Sequence, residues 1–198
     1  CEVSIVIGNE SRTTGIEGLD NIIDYLRVGD TVAWQIDNMA DYMYVANRFA
    51  MTIARDRKRM VYIRFGTHQE IMDAAGLEAS GANIKKYVLD PHVGFETFTV
   101  QLHKIISQEG KGVFYIFDCI SELQKYWFSD LMVGNLFCLT TPFIAEQKSI
   151  AYMAIMYERH TYETISRIRH CVPVLANMRT FNGELYILPL KVSNRYTK

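Results

Sequence analysis

The stretch that decides the fold is VGDTVAWQIDNMADYMYVANRFA, which runs from Val28 to Ala50. Its apolar run 31–36 has the length and composition of a β-strand that is covered on both faces. A short polar turn follows the strand. Apolar residues then recur at helical spacing from Tyr42 to Ile53, and Asp41 stands where it could cap the helix. The stretch therefore predicts a strand, a tight turn and an amphipathic helix.

The turn does not contain the residues of a phosphate-binding loop. Such a loop has glycines whose backbone N–H groups surround the phosphates, a lysine that contacts the phosphates and a hydroxyl that binds magnesium. Here the turn consists of Asp37, Asn38, Met39, Ala40 and Asp41, with neither glycine nor lysine. Carboxylates at the start of a helix would repel a phosphate. We therefore interpret residues 37–41 as a degenerate phosphate loop.

The rest of the chain alternates apolar strands with amphipathic helices. Further strands are predicted at 60–65, 84–90, 112–120, 150–158 and 171–178, and a last strand follows the Asn182–Gly183 turn. Helices are predicted from Phe95 to the glycine at 110, in a region that ends near Leu139, and from Thr161 to His170. This order predicts an α/β fold whose mostly parallel sheet is flanked by helices and ends in an antiparallel hairpin.

Length and composition predict one domain over residues 1–198. The net charge of −1 does not favour a nucleic-acid surface. The longest apolar stretch, 131–145, is shorter than the roughly 20 residues of a membrane span. We therefore expect no nucleic-acid partner and no membrane partner. Because the chain starts at Cys1 and stops at Lys198 without an evident tail, we expect it to be a fragment of a longer protein.

The cysteines predict a reducing environment. No two of the four stand in a CxxC pair, and they are scattered at Cys1, Cys119, Cys138 and Cys171. Reduced, buried thiols in a cytoplasmic protein are the simplest interpretation of this pattern.

Three segments of the chain resemble the RecA-like ATPases of the KaiC type. They are TTGIEGLDNII at 13–23, GVFYIFDCISEL at 112–123 and NGELYILPLKVSNR at 182–195. The resemblance implies a RecA-like fold and places Asp118 at the Walker B position of a magnesium ligand. It also implies catalytic glutamates after the second strand, where this chain reads RFGT at 64–67 instead. With the degenerate loop, this departure leads us to predict no cofactor, because ATP and magnesium binding would be lost.

The chain also resembles the N-terminal segment of large phosphoenolpyruvate (PEP) synthase-like, or PEP/pyruvate-binding, proteins. The phrases that carry this resemblance include VAWQIDNMADY, YIRFGTHQEI and LYILPLKVSNRY. It implies that phosphotransfer chemistry lies in other modules and that this domain is a non-catalytic pseudo-ATPase with a regulatory or assembly role. The expected partners are other domains of the same chain or further copies of it. The alternative is a domain that binds a nucleotide or another anionic metabolite through the altered loop.

Polar residues follow several predicted strands, at the edge where α/β proteins bind ligands. Two pairs of basic residues there are candidates for binding an anion: Arg64 with His68, and Arg159 with His160. The alternative is a structural role, in which these loop charges pair with neighbouring acids. Asp118 is likewise either an inherited magnesium ligand or a cap of the loop after its strand. No ligand spacing for a metal is present, and Ser121 lacks the G-x-S-x-G context of a nucleophilic serine.

Overall fold

The structure is a computed structural model that describes residues 12–193 and Arg195. In these residues one sheet has the strand order β3-β2-β4-β5-β1-β6-β7. The strands are β1 (Thr31–Ile36), β2 (Met60–Arg64), β3 (Ile84–Val88), β4 (Phe114–Cys119), β5 (Ile150–Met156), β6 (Val174–Phe181) and β7 (Glu184–Val192). The α-helices are α1 (Glu17–Ile23), α2 (Met39–Arg55), α3 (Ala74–Ala79), α4 (Phe95–Glu109), α5 (Asp130–Glu146) and α6 (Tyr162–Cys171), and short 3₁₀ helices span Pro91–Val93 and Ile120–Lys125.

The sheet confirms the predicted α/β architecture. Strands β1 to β6 pair in parallel, and β7 pairs antiparallel with β6 to form the C-terminal hairpin. Both β1 and β4 lie inside the sheet, with β5 between them. Because the three strands are parallel, the residues that follow β1 and β4 lie at the same edge. The fold therefore brings Asp37, which follows β1, and Asp118, near the end of β4, to one edge of the sheet.

Two apolar layers cover the faces of the sheet. On β4, Phe114 and Ile116 pack into the layer that contains α1, α2 and α3. The alternate residues Tyr115 and Phe117 pack into the layer that contains α4, α5 and α6. Burial on both faces explains why the inner strands read as continuous apolar runs rather than as alternating ones. In the described residues, no helix is long and apolar enough to cross a membrane.

The helices differ from the prediction at three places. The cap of α2 is Asn38, whose side chain accepts a hydrogen bond from the N–H of Asp41, so the prediction that Asp41 caps this helix is wrong. Helices α1 and α3 were not predicted. Helix α5 continues past Leu139 and contains Pro142, which removes only one backbone donor; flanking residues such as Phe137 and Ile144 are fully buried and hold the helix in place.

The prediction that the cysteines are reduced is wrong for two of them. Cys138 on α5 and Cys171 at the end of α6 form a disulfide. The two helices bring the Cα atoms to 5.2 Å, within the range that a disulfide requires, although 33 positions separate the residues along the chain. Cys119 is buried and free, as predicted, and Cys1 lies outside the described residues. Since disulfides are rare in a reducing cytosol, this bond does not support the predicted cytoplasmic location.

Candidate functional site

The carboxyl edge of the sheet holds the predicted site residues. The carboxyl ends of β1, β2, β4 and β5 and the segments that follow them carry four groups of predicted site residues. These are the degenerate loop 37–41, the pair Arg64 and His68, Asp118, and the pair Arg159 and His160. These residues form three separate side-chain networks rather than one pocket.

The first network surrounds Asp118, which is fully buried. Its Oδ1 accepts a hydrogen bond from the Tyr62 hydroxyl at 2.6 Å. Its Oδ2 accepts from Arg64 Nη1 at 3.1 Å and from the backbone N–H groups of Phe65 at 2.9 Å and Gly66 at 2.7 Å. These backbone groups belong to the loop after β2. The prediction that Asp118 caps the loop after its own strand is therefore wrong.

The electrostatics of this network favour an internal ion pair. Burial alone would lower the pKa of Arg64, but attraction to Asp118 outweighs burial and raises it. Burial, with Asp118 next in importance, raises the pKa of Tyr62, so its hydroxyl stays protonated and donates to the carboxylate. The charges of Arg64 and Asp118 offset each other, and the remaining lone pairs of the carboxylate face N–H or O–H donors.

His68 lies beside Arg64, as the prediction of a basic pair requires. The guanidinium of Arg64 donates to the backbone carbonyl of His68, while His68 Nδ1 lies 2.6 Å from the carbonyl oxygen of Gln69. His68 Nε2 lies 3.8 Å from Asp118 Oδ2. Both basic side chains thus face a buried carboxylate of the same chain. This is the structural alternative, in which the loop charges pair with neighbouring acids.

The second network ties the degenerate loop to β6. The Asn38 amide donates to Asp41 Oδ2 at 2.9 Å, and the Thr180 hydroxyl donates to Asp41 Oδ1 at 2.6 Å. Asp37 Oδ2 lies 3.7 Å from Arg179 Nε. Met39 packs against the core at the start of α2. The loop is therefore filled by its own contacts, and both of its acids have partners within the chain.

The third network places Arg159 and His160 on different partners. Arg159 lies on the surface, where its Nη1 is 3.6 Å from Glu122 Oε1. The side chain of His160 is fully buried. His160 Nε2 lies 2.5 Å from Ser121 Oγ, and His160 Nδ1 lies 2.5 Å from Asp130 Oδ1. The structure therefore does not present these two basic residues as a pair that faces solvent.

Ser121, His160 and Asp130 form a hydrogen-bonded series in the order of a nucleophilic relay. Burial opposes ionisation of Asp130, but hydrogen bonds, first from His160, outweigh this effect and lower its pKa to about 2. The backbone N–H of Thr161 donates to the other carboxylate oxygen at 2.9 Å, which fixes its orientation. The N–H of Met156 donates to Ser121 Oγ at 2.8 Å.

The burial of Ser121 decides what this relay does. Its exposed fraction is 0%, so Oγ cannot meet a substrate in this conformation. The relay instead ties the ends of β4 and β5 to the first turn of α5. Sequence reasoning found no Ser-His-Asp arrangement, because 39 residues separate Ser121 from His160 and 30 separate His160 from Asp130. No local motif links positions so far apart.

Neither a metal centre nor a known relative identifies the site. Within the described residues, no three His, Cys, Asp or Glu side chains come together as metal ligands would. A comparison of the chain with models of protein families found no match, and a comparison with curated proteins found none either. The function must therefore be argued from the side-chain geometry.

Proposed function

We propose that this chain is a non-catalytic pseudo-ATPase domain of RecA/KaiC-like ancestry, with a regulatory or assembly role in a larger PEP synthase-like protein. The observation that carries this proposal is the internal use of the Asp118 carboxylate. In the proposed ancestry this carboxylate would bind magnesium. Here four donors occupy it, and two of them are backbone N–H groups that cannot rotate away.

Magnesium would have to displace donors that already stabilise the domain. Hydrogen bonds to a charged group each contribute about 1.5–3 kcal/mol, and the desolvated partners would be left without acceptors. Magnesium at the buried Asp118 carboxylate would also leave Arg64 without its counter-charge. Retaining the internal contacts is therefore favoured over binding the metal.

The degenerate loop also disfavours binding of Mg-ATP. It supplies no lysine for the phosphates and places Asp37 and Asp41 at the start of α2. The dipole of that helix would favour an anion, but two carboxylates offset it. A domain that keeps the sheet and both core layers while filling its nucleotide position is suited to binding other protein modules rather than to hydrolysing ATP.

One observation favours the alternative function, which is binding of an anionic metabolite at the altered loop. Arg179 is about half exposed, with 46% of its side chain accessible, and its guanidinium carbon lies 3.9 Å from the centre of the Tyr157 ring. Arg179 lies at the end of β6, next to the loop. It could contact a phosphate or carboxylate from the side of the loop. Arg64 cannot do so, because it is already paired with Asp118.

A thermal-shift panel separates the two functions. The ligands are ATP, ADP, AMP, PEP and pyruvate, each with magnesium. The pseudo-ATPase proposal predicts no shift with the nucleotides. A shift with PEP that Arg179→Met abolishes, and that Lys104→Met on the exposed surface of α4 leaves unchanged, would support the alternative. Stabilisation by Mg-ATP that depends on Asp118 would contradict the proposed function.

A further inference from the structure

A cleft of about 720 Å³ lies between the N-terminal segment 13–25 and the second half of α2. Helix α2 begins at the carboxyl edge of the sheet and runs back toward the edge where β2 starts. The cleft is therefore remote from Asp118 and from the degenerate loop. Its volume falls within the roughly 300–1,000 Å³ that is typical of small-molecule sites.

One wall of the cleft is a fixed turn. The carboxylate of Asp20, which is only 3% exposed, accepts hydrogen bonds from the Thr13 hydroxyl and from the Thr14 N–H. Gly15 has φ of 82°, and a Cβ at this position would lie 2.8 Å from the Arg48 carbonyl oxygen. Only glycine allows the turn to pack this closely on α2. The wall is therefore preformed, and the negative charge of Asp20 is already engaged.

Two arginines of α2 line the opposite wall. Arg48 and Arg55 are seven residues apart, so they lie on the same face of the helix, about 10 Å apart along its axis. The guanidinium of Arg48 lies 5.4 Å from the centre of the Tyr44 ring, and no salt bridge to Arg48 occurs among the described residues. Arg55 Nε is 3.7 Å from Asp56, in the last turn, where it also offsets the helix dipole. Of these two arginines, Arg48 is thus the one that has no salt bridge within the described residues, so its charge is available to a ligand.

Apolar surface lies next to Arg48. Met51 is 63% exposed on the same stretch of helix, and Tyr25 is 40% exposed on the N-terminal side of the cleft. Exposed methionine and tyrosine can contact an apolar or aromatic group, while a guanidinium binds a carboxylate or phosphate through two parallel hydrogen bonds. Glu17 also lines the cleft and disfavours a ligand that carries negative charge along its whole length.

We propose that this cleft binds a small organic anion that has one phosphate or carboxylate group and one apolar or aromatic part. Arg48 contacts the anionic group, and Met51 and Tyr25 contact the apolar part. This site goes beyond the proposed function, since it lies away from the nucleotide position and does not depend on whether ATP binds there.

Phenyl phosphate is a suitable probe, because it combines a phosphate with an aromatic ring. In calorimetry with the full chain we expect phenyl phosphate to bind more tightly than inorganic phosphate, while benzyl alcohol shows no binding. Arg48→Met keeps the length of the side chain and removes the charge. It should weaken phenyl phosphate binding about tenfold or more, the loss expected for a charge-assisted hydrogen bond. Arg57→Met, an exposed arginine outside the cleft, is the matched control.

Amide chemical shifts locate the bound probe. The site predicts shifts at Gly15, Tyr25 and Thr52, with none at Asn38 or Gly66. Three results would each overturn the proposal: no binding of phenyl phosphate, equal affinity in Arg48→Met, or shifts confined to the carboxyl edge of the sheet. The thermal-shift panel with Mg-ATP tests the proposed function separately, so failure of either proposal can be distinguished from failure of the other.

Discussion

The Tyr62 hydroxyl donates to Asp118 at 2.6 Å and accepts a hydrogen bond from the N–H of Ile71 at 3.1 Å. One phenol group therefore connects β2, β4 and the loop after β2. It also occupies an oxygen of the carboxylate that a magnesium site would use. Mutation can show whether Asp118 is a structural carboxylate or a ligand-binding one. Removal of a structural carboxylate destabilises the domain, whereas removal of a ligand-binding one does not.

Asp118→Ala should destabilise the domain by about 3–5 kcal/mol. It leaves the half-buried Arg64 without its counter-charge, and it leaves the Tyr62 hydroxyl and two backbone N–H groups without their acceptor. A carboxylate kept for ligand binding would instead be neutral or stabilising when removed. Urea unfolding at neutral pH measures the difference. Asp37→Ala, at a partly exposed acid of the same sheet edge, is the control and should change stability by about 0.5 kcal/mol or less. Equal stability of Asp118→Ala and the wild type would contradict the structural role.

Tyr62→Phe should cost about 1–3 kcal/mol, because both Asp118 and the Ile71 N–H lose a partner while the ring is kept. The chain offers a matched control in Tyr115, whose buried hydroxyl has no hydrogen-bond partner within the described structure. Tyr115→Phe removes an unsatisfied polar group and should be neutral or stabilising. Chemical denaturation of both variants measures the contrast. Equal effects of the two substitutions would argue against the Tyr62–Asp118 contact.

The strands were predictable from sequence, whereas the site contacts were not. Strand β4 is buried on both faces, so its composition alone identifies it. Helices α1 and α3 have only 7 and 6 residues, and tertiary packing rather than helical periodicity stabilises them. Residues 37–41 after β1 could be interpreted as a degenerate phosphate loop, because the absence of glycine and lysine is visible in the sequence.

The side-chain networks depend on contacts between distant positions. Asp118 is 54 residues from Arg64 in sequence, and the disulfide closes a separation of 33. The sequence predicted that Arg64 and Asp118 are charged and that both lie near the carboxyl edge of the sheet. It could not decide whether Arg64 faces a ligand or Asp118, because that choice depends on the path of the loop after β2.

Asp130 predicts a specific dependence of stability on pH. Its pKa is about 2 in the folded state, below the ordinary value of 3.8. The stabilisation is therefore fully present above pH 3.8 and is lost as the pH falls toward 2. The difference corresponds to about 2 kcal/mol. In urea unfolding at several pH values, Asp130→Asn should be less stable at neutral pH and should lose less stability between pH 4 and 2. Asp56→Asn, at an exposed acid, should follow the wild type; a parallel profile for Asp130→Asn would contradict this account.

The buried relay predicts an inert serine. Because Ser121 has no exposed surface, the folded protein should not react with a serine-directed fluorophosphonate. Ser121→Ala should cost about 1–2 kcal/mol, since the Met156 N–H and His160 each lose a partner. Ser149, equally buried but bonded only to backbone groups, is the control for labelling. Covalent labelling of the wild type that disappears in Ser121→Ala would show that the relay is accessible and reactive.

Calorimetric titration of the domain with Mg-ATP tests the central claim most directly. The account predicts no saturable heat at millimolar nucleotide, because Asp118 is engaged by Tyr62, Arg64 and two backbone N–H groups and the first loop carries two acids. A micromolar dissociation constant for Mg-ATP that is lost in Asp118→Asn would contradict it.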